Sequence, residues 1–234
     1  MAGERAARVW AWITAARVDD APPSLAALGR AAVRWLAVDG ASVAAVGRAA
    51  REPLSATDGP SARLEELLFT TGEGPGVEDF AFGSPMLIPD LAAVTERWPG
   101  FAPTAMAAGA RALFAFPLQA GAIRVGVLLL YRARPDPLNP SQLADALVFA
   151  DIALQLLLDS ASGISAAPGY HPLNGLSGSR AEVYQAVGMI SVQLGVSLEE
   201  ALVRLRAHAF AGDQALDAIA GDVVSRRLWF GPER

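Results

Sequence analysis

Apolar positions in the first 160 residues alternate between the spacing of helices and the spacing of strands. Leu25, Leu28, Ala32 and Leu36 recur near a period of 3.6, which predicts a helix over 24–37. Short apolar runs bounded by turn residues predict strands. The order of elements favours an α+β domain, in which helices pack against an antiparallel sheet. The predicted strands cover 40–46, 51–57, 85–88, 111–118 and 123–132, and further helices cover 8–18, 61–70, 102–109 and 140–159, with Asp90 as the cap of another that runs towards Arg97.

The last 55 residues have a helical pattern throughout. Val183, Val187 and Ile190 share one face of the first predicted helix. Ser197 and Glu200 form a capping-box pattern, in which the serine hydroxyl accepts from the backbone N–H three residues later. This segment therefore predicts an all-α bundle of three helices, over 180–194, from 198 to a break at Gly212, and over 214–228.

A composition change separates these two parts. Residues 160–179 are rich in glycine, serine, proline and asparagine and have no periodic apolar pattern, which is typical of a linker. We therefore expect an N-terminal helix within 1–21, a sensor domain over 22–160, a linker over 161–179 and a helical domain over 180–230.

Composition narrows the possible chemistry. The chain has no cysteine, which excludes disulfides, thiolate catalysis and thiolate metal sites. Two histidines far apart, His171 and His208, do not favour a multi-histidine metal centre. All 19 basic residues are arginines, and against 24 acidic residues the net charge is −5. We expect no metal, no cofactor and, for lack of a nucleophile–base pair, no enzyme.

Targeting signals are weak. Residues 9–16 lie between Arg8 and Arg17 like the core of a short signal peptide, but no clear cleavage site follows, so we interpret them as an amphipathic helix. No uninterrupted apolar stretch approaches 18 residues. We expect a cytoplasmic protein without a membrane partner.

Five segments of the tail carry a recognisable pattern in order and register over about fifty residues: 184–190 (YQAVGMI), 195–201 (GVSLEEA), 205–209 (LRAHA), 216–220 (LDAIA) and 223–228 (VVSRRL). Together they resemble the ANTAR family, three-helix RNA-binding modules of bacterial transcription antiterminators. Upstream, 64–76 (LEELLFTTGEGPG), 85–91 (PMLIPDL) and 98–101 (WPGF) are similar to the GAF domains that precede ANTAR domains in actinobacterial regulators.

These resemblances imply a sensor of an unknown small ligand joined to a module that binds RNA stem-loops and promotes transcriptional read-through. The family typically recognises paired stem-loops, which suits a homodimer, and apolar faces within 8–18 and 143–158 are the candidate dimer surfaces. RNA binding requires cationic or hydrogen-bonding groups at the surface. The candidates in this sequence are Arg180, Gln185, Arg204, Arg206, His208, Arg226 and Arg227.

Two observations keep a second reading open. Six arginines face seven acidic residues over 180–234, and Glu200 and Asp222 each precede an arginine by four residues, as in ordinary intrahelical pairs. Val187 stands where many family members have lysine, directly before Gly188. The alternative is a protein-interaction regulator or scaffold whose RNA-binding tail is degenerate.

The sensed ligand has no signature of its own. The glycine-rich stretch 72–76 lacks the lysine and serine or threonine of a phosphate-binding loop, so we interpret it as a structural turn. Because GAF pockets lie over the sheet, aromatic and methionine side chains are candidates for its lining, with plain core packing as the alternative. They are Phe69, Phe80, Phe82, Met86, Phe114 and Phe116.

Overall fold

A computed structural model describes residues 2–18, 21–47, 51–77, 83–161 and 178–231. The chain divides into two compact units. The first consists of Met1–Val46 and Pro53–Tyr170, and the second of Gly47–Glu52 and His171–Arg234. The predicted linker, 161–179, lies outside the described residues except at its ends.

In the part of the chain that the structure describes, five strands form one sheet in the order β2-β1-β5-β4-β3. The pairs β1–β5, β5–β4 and β4–β3 are antiparallel, as predicted for an α+β domain. β2 lies at one edge of the sheet and β3 at the other. The strands are β1 (Gly40–Val46), β2 (Arg51–Ala56), β3 (Met86–Ile88), β4 (Ala112–Ala120) and β5 (Ile123–Arg132).

Two α-helices of the first unit begin at side-chain caps. The Ser24 side chain accepts from the backbone N–H of Ala27, and the Asp58 side chain accepts from that of Ser61. Asp90 caps only a short 3₁₀ helix, Leu91–Val94, rather than a helix that continues to Arg97. The α-helices are α1 (Ala2–Ala15), α2 (Leu25–Leu36), α3 (Gly59–Thr71), α4 (Ala102–Ala107) and α5 (Pro140–Ala161).

The sheet has a separate apolar core on each face. Because successive side chains of a strand point to opposite faces, Phe114 and Phe116 of β4 join one core, whereas Leu113 and Ala115 join the other. Helices α1, α2 and α5 cover the first face. Helices α3 and α4 and the 3₁₀ helix cover the second, which we call the α3 face.

The N-terminal helix belongs to the first core and is not a separate element. Val9 and Ile13 are fully buried there, beside Ala146, Phe149 and Ala153 of α5. Part of the apolar surface from which a dimer was predicted is therefore used within one chain, whereas Trp10, Leu147 and Leu158 stay exposed. Dimerisation stays a prediction.

Helix α5 is long and apolar enough by composition to cross a membrane. Its residues Ala146, Phe149 and Ala153 are instead fully buried against the sheet. A core helix of a soluble protein has the same composition and the same packing. The cytoplasmic location remains a prediction.

The second unit contains α6 (Gly178–Leu194), α7 (Leu198–Ala211) and α8 (Leu216–Val224). The Ser197 hydroxyl caps α7 by accepting from the Glu200 backbone N–H at 3.2 Å. This contact confirms the serine part of the predicted capping box. The Glu200 carboxylate pairs with Arg204. The three helices bury one apolar stripe each, built from Val183, Ala186, Val187 and Ile190, from Ala201, Leu202, Leu205 and Ala209, and from Leu216, Ile219, Ala220 and Val223.

Candidate ligand-binding face and RNA-binding surface

A buried polar pair lies on the α3 face. The Ser42 hydroxyl of β1 donates to the Glu65 carboxylate of α3 at 2.7 Å, and the two residues are 2% and 0% exposed. A carboxylate inside a core requires hydrogen bonds to replace water. The pair is therefore a specific polar feature on a face that is otherwise largely apolar.

The sequence analysis did not identify this pair, because a carboxylate on a helix is usually exposed. The signal was present in the periodicity. Ser61, Leu64, Glu65 and Leu68 follow the i, i+3, i+4, i+7 spacing of one buried stripe, and all four are buried. Ser42 could not be paired with Glu65 from the sequence, since the two residues lie on different elements.

The glycine-rich turn after α3 has a structural role. Gly72, Gly74 and Gly76 adopt positive φ values of 67°, 109° and 93°. A Cβ at Gly74 would approach Leu68 to 2.8 Å and Phe101 to 2.9 Å. The conformation and the close packing both favour glycine, which agrees with the interpretation as a turn.

The same turn fixes the start of α4. The Glu73 carboxylate accepts from the backbone N–H groups of Gly100 and Phe101 at 3.0 and 3.2 Å. These are amides at the beginning of a helix, where no intrahelical partner exists. Glu73 therefore holds α4 in place over the sheet.

Tyr131 of β5 packs on the α3 face. Its hydroxyl donates to Asp58 Oδ2 at 2.8 Å, while Asp58 Oδ1 accepts from the Ser61 N–H. Burial, together with the hydrogen bond to the Asp58 carboxylate, raises the pKa of Tyr131. Gly40 leaves the space for this arrangement, since a Cβ there would meet the tyrosine ring at 2.3 Å.

Of the predicted pocket residues that the structure describes, three lie on opposite faces of the sheet, and the pocket itself stays a prediction. Phe114 and Phe116 are buried under α1, α2 and α5, whereas Met86 packs on the α3 face. Strand alternation separates them, since all three belong to strands of one sheet. Phe69 is buried at 2% exposure. Phe80 and Phe82 lie outside the described residues.

Among the described residues, no group of three or more histidine, cysteine, aspartate or glutamate side chains could hold a metal ion. The sequence expectation of no metal stays a prediction.

Arg180 occupies a buried position in the second unit, although it was predicted as an RNA contact. It is 3% exposed, and its Nη1 donates to the Arg51 carbonyl oxygen at 2.6 Å. Arg206 is half-buried, and burial lowers its pKa to about 10. Neither guanidinium is therefore as exposed as a predicted RNA contact should be.

Three other arginines remain exposed. Arg204 pairs with Glu200 at 2.6 Å, and Arg227 pairs with Asp222 at 2.7 Å. The predicted Asp222–Arg226 pair does not form, because Arg226 leaves the helix with a φ of 62°. Within the described residues, the Arg226 side chain has no ion-pair partner, which makes it the most available cation for phosphate.

The remaining two candidates are also exposed. Gln185 lies on the outer side of α6. The His208 ring contacts the Phe230 ring, with centroids 5.2 Å apart at an interplanar angle of 60°. Both residues can offer hydrogen bonds to a bound partner.

Packing explains the valine at position 187, where many members of the ANTAR family have lysine. The residue is 2% exposed in the core of the bundle. A lysine there would point into the same core rather than at a phosphate. Val187 in this fold is therefore no evidence that a surface cation has been lost.

The first unit, with its antiparallel sheet and helices on both faces, has the fold of a GAF domain. The GAF domain of a phosphoenolpyruvate-protein phosphotransferase from Coxiella burnetii is 11% identical, with coverage of 70% of this chain and 97% of that one and a TM-score of 0.53. The GAF domain of an Acinetobacter phosphoenolpyruvate-protein phosphotransferase is also 11% identical, with coverage of 68% and 93% and a TM-score of 0.50.

Neither a family model nor a curated protein matches the chain. The structural likeness confirms the GAF-like fold class expected from the sequence. The ANTAR resemblance of the tail remains a prediction.

Proposed function

We propose that this protein is a signal-responsive regulator of transcription antitermination. Its GAF-like unit senses a small ligand, and its helical unit binds RNA hairpins as part of a cytoplasmic homodimer without enzymatic activity. The sensing role is supported by the fold and by the buried Ser42–Glu65 pair on the α3 face. The RNA-binding role is supported by the ANTAR resemblance and by exposed arginines.

The RNA proposal depends most on the exposed arginines at the end of α8. Arg226 and Arg227 are consecutive and exposed where the helix stops. Each can contact phosphate or stack on an unpaired base. Arg226 needs no rearrangement to do so, whereas Arg227 must exchange Asp222 for RNA.

Arg226→Asn tests this assignment. Asparagine tolerates the left-handed backbone at this position, so the fold is preserved while the cation is removed. We expect weaker binding of a paired-hairpin RNA and a salt slope smaller by about one unit. Equilibrium binding by fluorescence anisotropy at several salt concentrations measures both quantities.

Arg134→Asn is the matched control. Arg134 is an exposed arginine of the first unit, so the substitution changes the net charge equally. Equal weakening by both variants would contradict a role for the α8 end. A loss confined to Arg226→Asn would support it.

The scaffold alternative is favoured by exposed apolar side chains on the helical unit. Val192, Val203 and Phe210 are 84%, 60% and 81% exposed. Exposed apolar groups of this size suit a protein partner better than phosphate. Absence of hairpin binding at low salt would favour this reading.

A further inference from the structure

In the second unit, two helical side chains enclose the backbone of Arg51. The Arg180 guanidinium donates to the Arg51 carbonyl oxygen at 2.6 Å. The Tyr184 hydroxyl oxygen lies 3.1 Å from the Arg51 backbone nitrogen, from which it accepts, and 3.2 Å from the carbonyl oxygen. Both main-chain groups of Arg51 therefore bind α6.

The ionisable side chains around Arg51 are partly buried. Burial raises the pKa of the Glu52 carboxyl, and the Arg180 charge opposes this shift. Burial also raises the pKa of Tyr184 and lowers that of Arg206 to about 10. Arg180 and Arg51 are 3% and 5% exposed and hydrogen-bonded to each other, so they form a buried polar cluster, and the Arg51 charge also acts on Arg206.

We propose that Arg51 and Glu52, the cover segment, mask part of the RNA-binding surface, and that Arg180 and Arg206 become available to RNA only when this segment leaves. The inference rests on the proposed function and specifies how that surface is regulated. It assigns to the first two residues of β2 the role of an intramolecular competitor for RNA.

The cover segment binds α6 through hydrogen bonds, which other polar partners can replace. Arg51 and Glu52 also begin β2, an edge strand, and Pro53 continues that strand in the first unit. A covalent path therefore joins the cover segment to the sheet of the sensor.

Two variants weaken the cover from opposite sides in the full-length protein. Tyr184→Phe keeps the ring and removes both hydroxyl contacts with Arg51. Arg51→Pro removes the donor N–H at the first residue of an edge strand, where proline is tolerated. Each variant loses at least one hydrogen bond between the cover segment and α6, so a larger fraction of molecules should have the segment displaced. We therefore expect the affinity for hairpin RNA to rise about 2- to 10-fold.

Arg51→Pro is the more stringent variant, because it removes a cation and charge alone would lower RNA affinity. Tyr131→Phe, which removes a tyrosine hydrogen bond in the first unit, is the matched control and should leave affinity unchanged. Arginine-selective dicarbonyl labelling read by mass spectrometry provides a measurement without RNA. Labelling of Arg180 should accelerate in both variants, relative to labelling of the exposed Arg226.

The outcomes separate the two proposals. Faster Arg180 labelling with unchanged or lower hairpin affinity in both variants would overturn the cover while RNA binding itself stands. Unchanged labelling in both variants would also overturn it. Failure of every form, wild type included, to bind the hairpin at low salt would overturn the proposed function together with this inference.

Discussion

At the scale of single residues, the informative features are polar groups inside apolar surroundings. Ser42 and Glu65 are almost completely buried in the first unit, and Arg180 is buried in the second. Each has a hydrogen-bond partner distant in sequence: 23 residues separate Ser42 from Glu65, and 129 separate Arg180 from Arg51. Burial without such partners would be costly, so these positions identify contacts that specify the fold.

Ser42→Ala tests the polar pair. The substitution leaves the buried Glu65 carboxylate with one donor fewer, and we expect a loss of about 1–3 kcal/mol in the free energy of unfolding of the first unit. Urea denaturation followed by tryptophan fluorescence measures this loss. Ser55→Ala, a half-buried serine of edge strand β2, is the control and should cost much less. Equal effects would show that the pair contributes no more than an ordinary serine.

At the scale of elements, local patterns predicted most of the fold. β1 and β5 have the predicted bounds, Gly40–Val46 and Ile123–Arg132, because strand periodicity is a local property. The predicted α8 was too long, since Arg226 leaves the helix. What could not be predicted were contacts set by tertiary packing: the face on which Phe114 lies, and the burial of Arg180.

Helix α1 is held to α5 by charge as well as by its apolar face. The Asp145 carboxylate accepts from Arg5 at 2.5 Å and from Arg8 at 2.8 Å, and its side chain is 8% exposed. Hydrogen bonds between charged groups are stronger than neutral ones. The sequence did not predict these pairs, because about 140 residues separate the partners.

Asp145→Asn should loosen α1 without unfolding the sheet. The substitution keeps the shape but removes the charge shared by the two arginines, so we expect amide hydrogen exchange in α1 to accelerate about 5- to 30-fold. Asp151→Asn, an exposed aspartate of α5, serves as the control. Unchanged exchange in α1 would mean that apolar packing alone holds the helix.

At the scale of the whole molecule, a GAF-like unit and a helical unit share one chain. The segment Gly47–Glu52 groups with the helical unit, although it lies within the sequence of the sensor. If RNA binding and ligand sensing are coupled, the ligand must favour one of two arrangements of the chain. The cover segment is the element whose two states would differ in RNA affinity.

The most direct test of the account is binding of a paired-hairpin RNA by the full-length wild-type protein as salt is raised. The account predicts saturable binding at low salt, with the logarithm of the association constant falling linearly against the logarithm of salt concentration. Each phosphate contact contributes a slope of about −0.7 to −0.9. No binding at low salt, or binding that salt leaves unchanged, would contradict the assignment of the helical unit as an RNA-binding module.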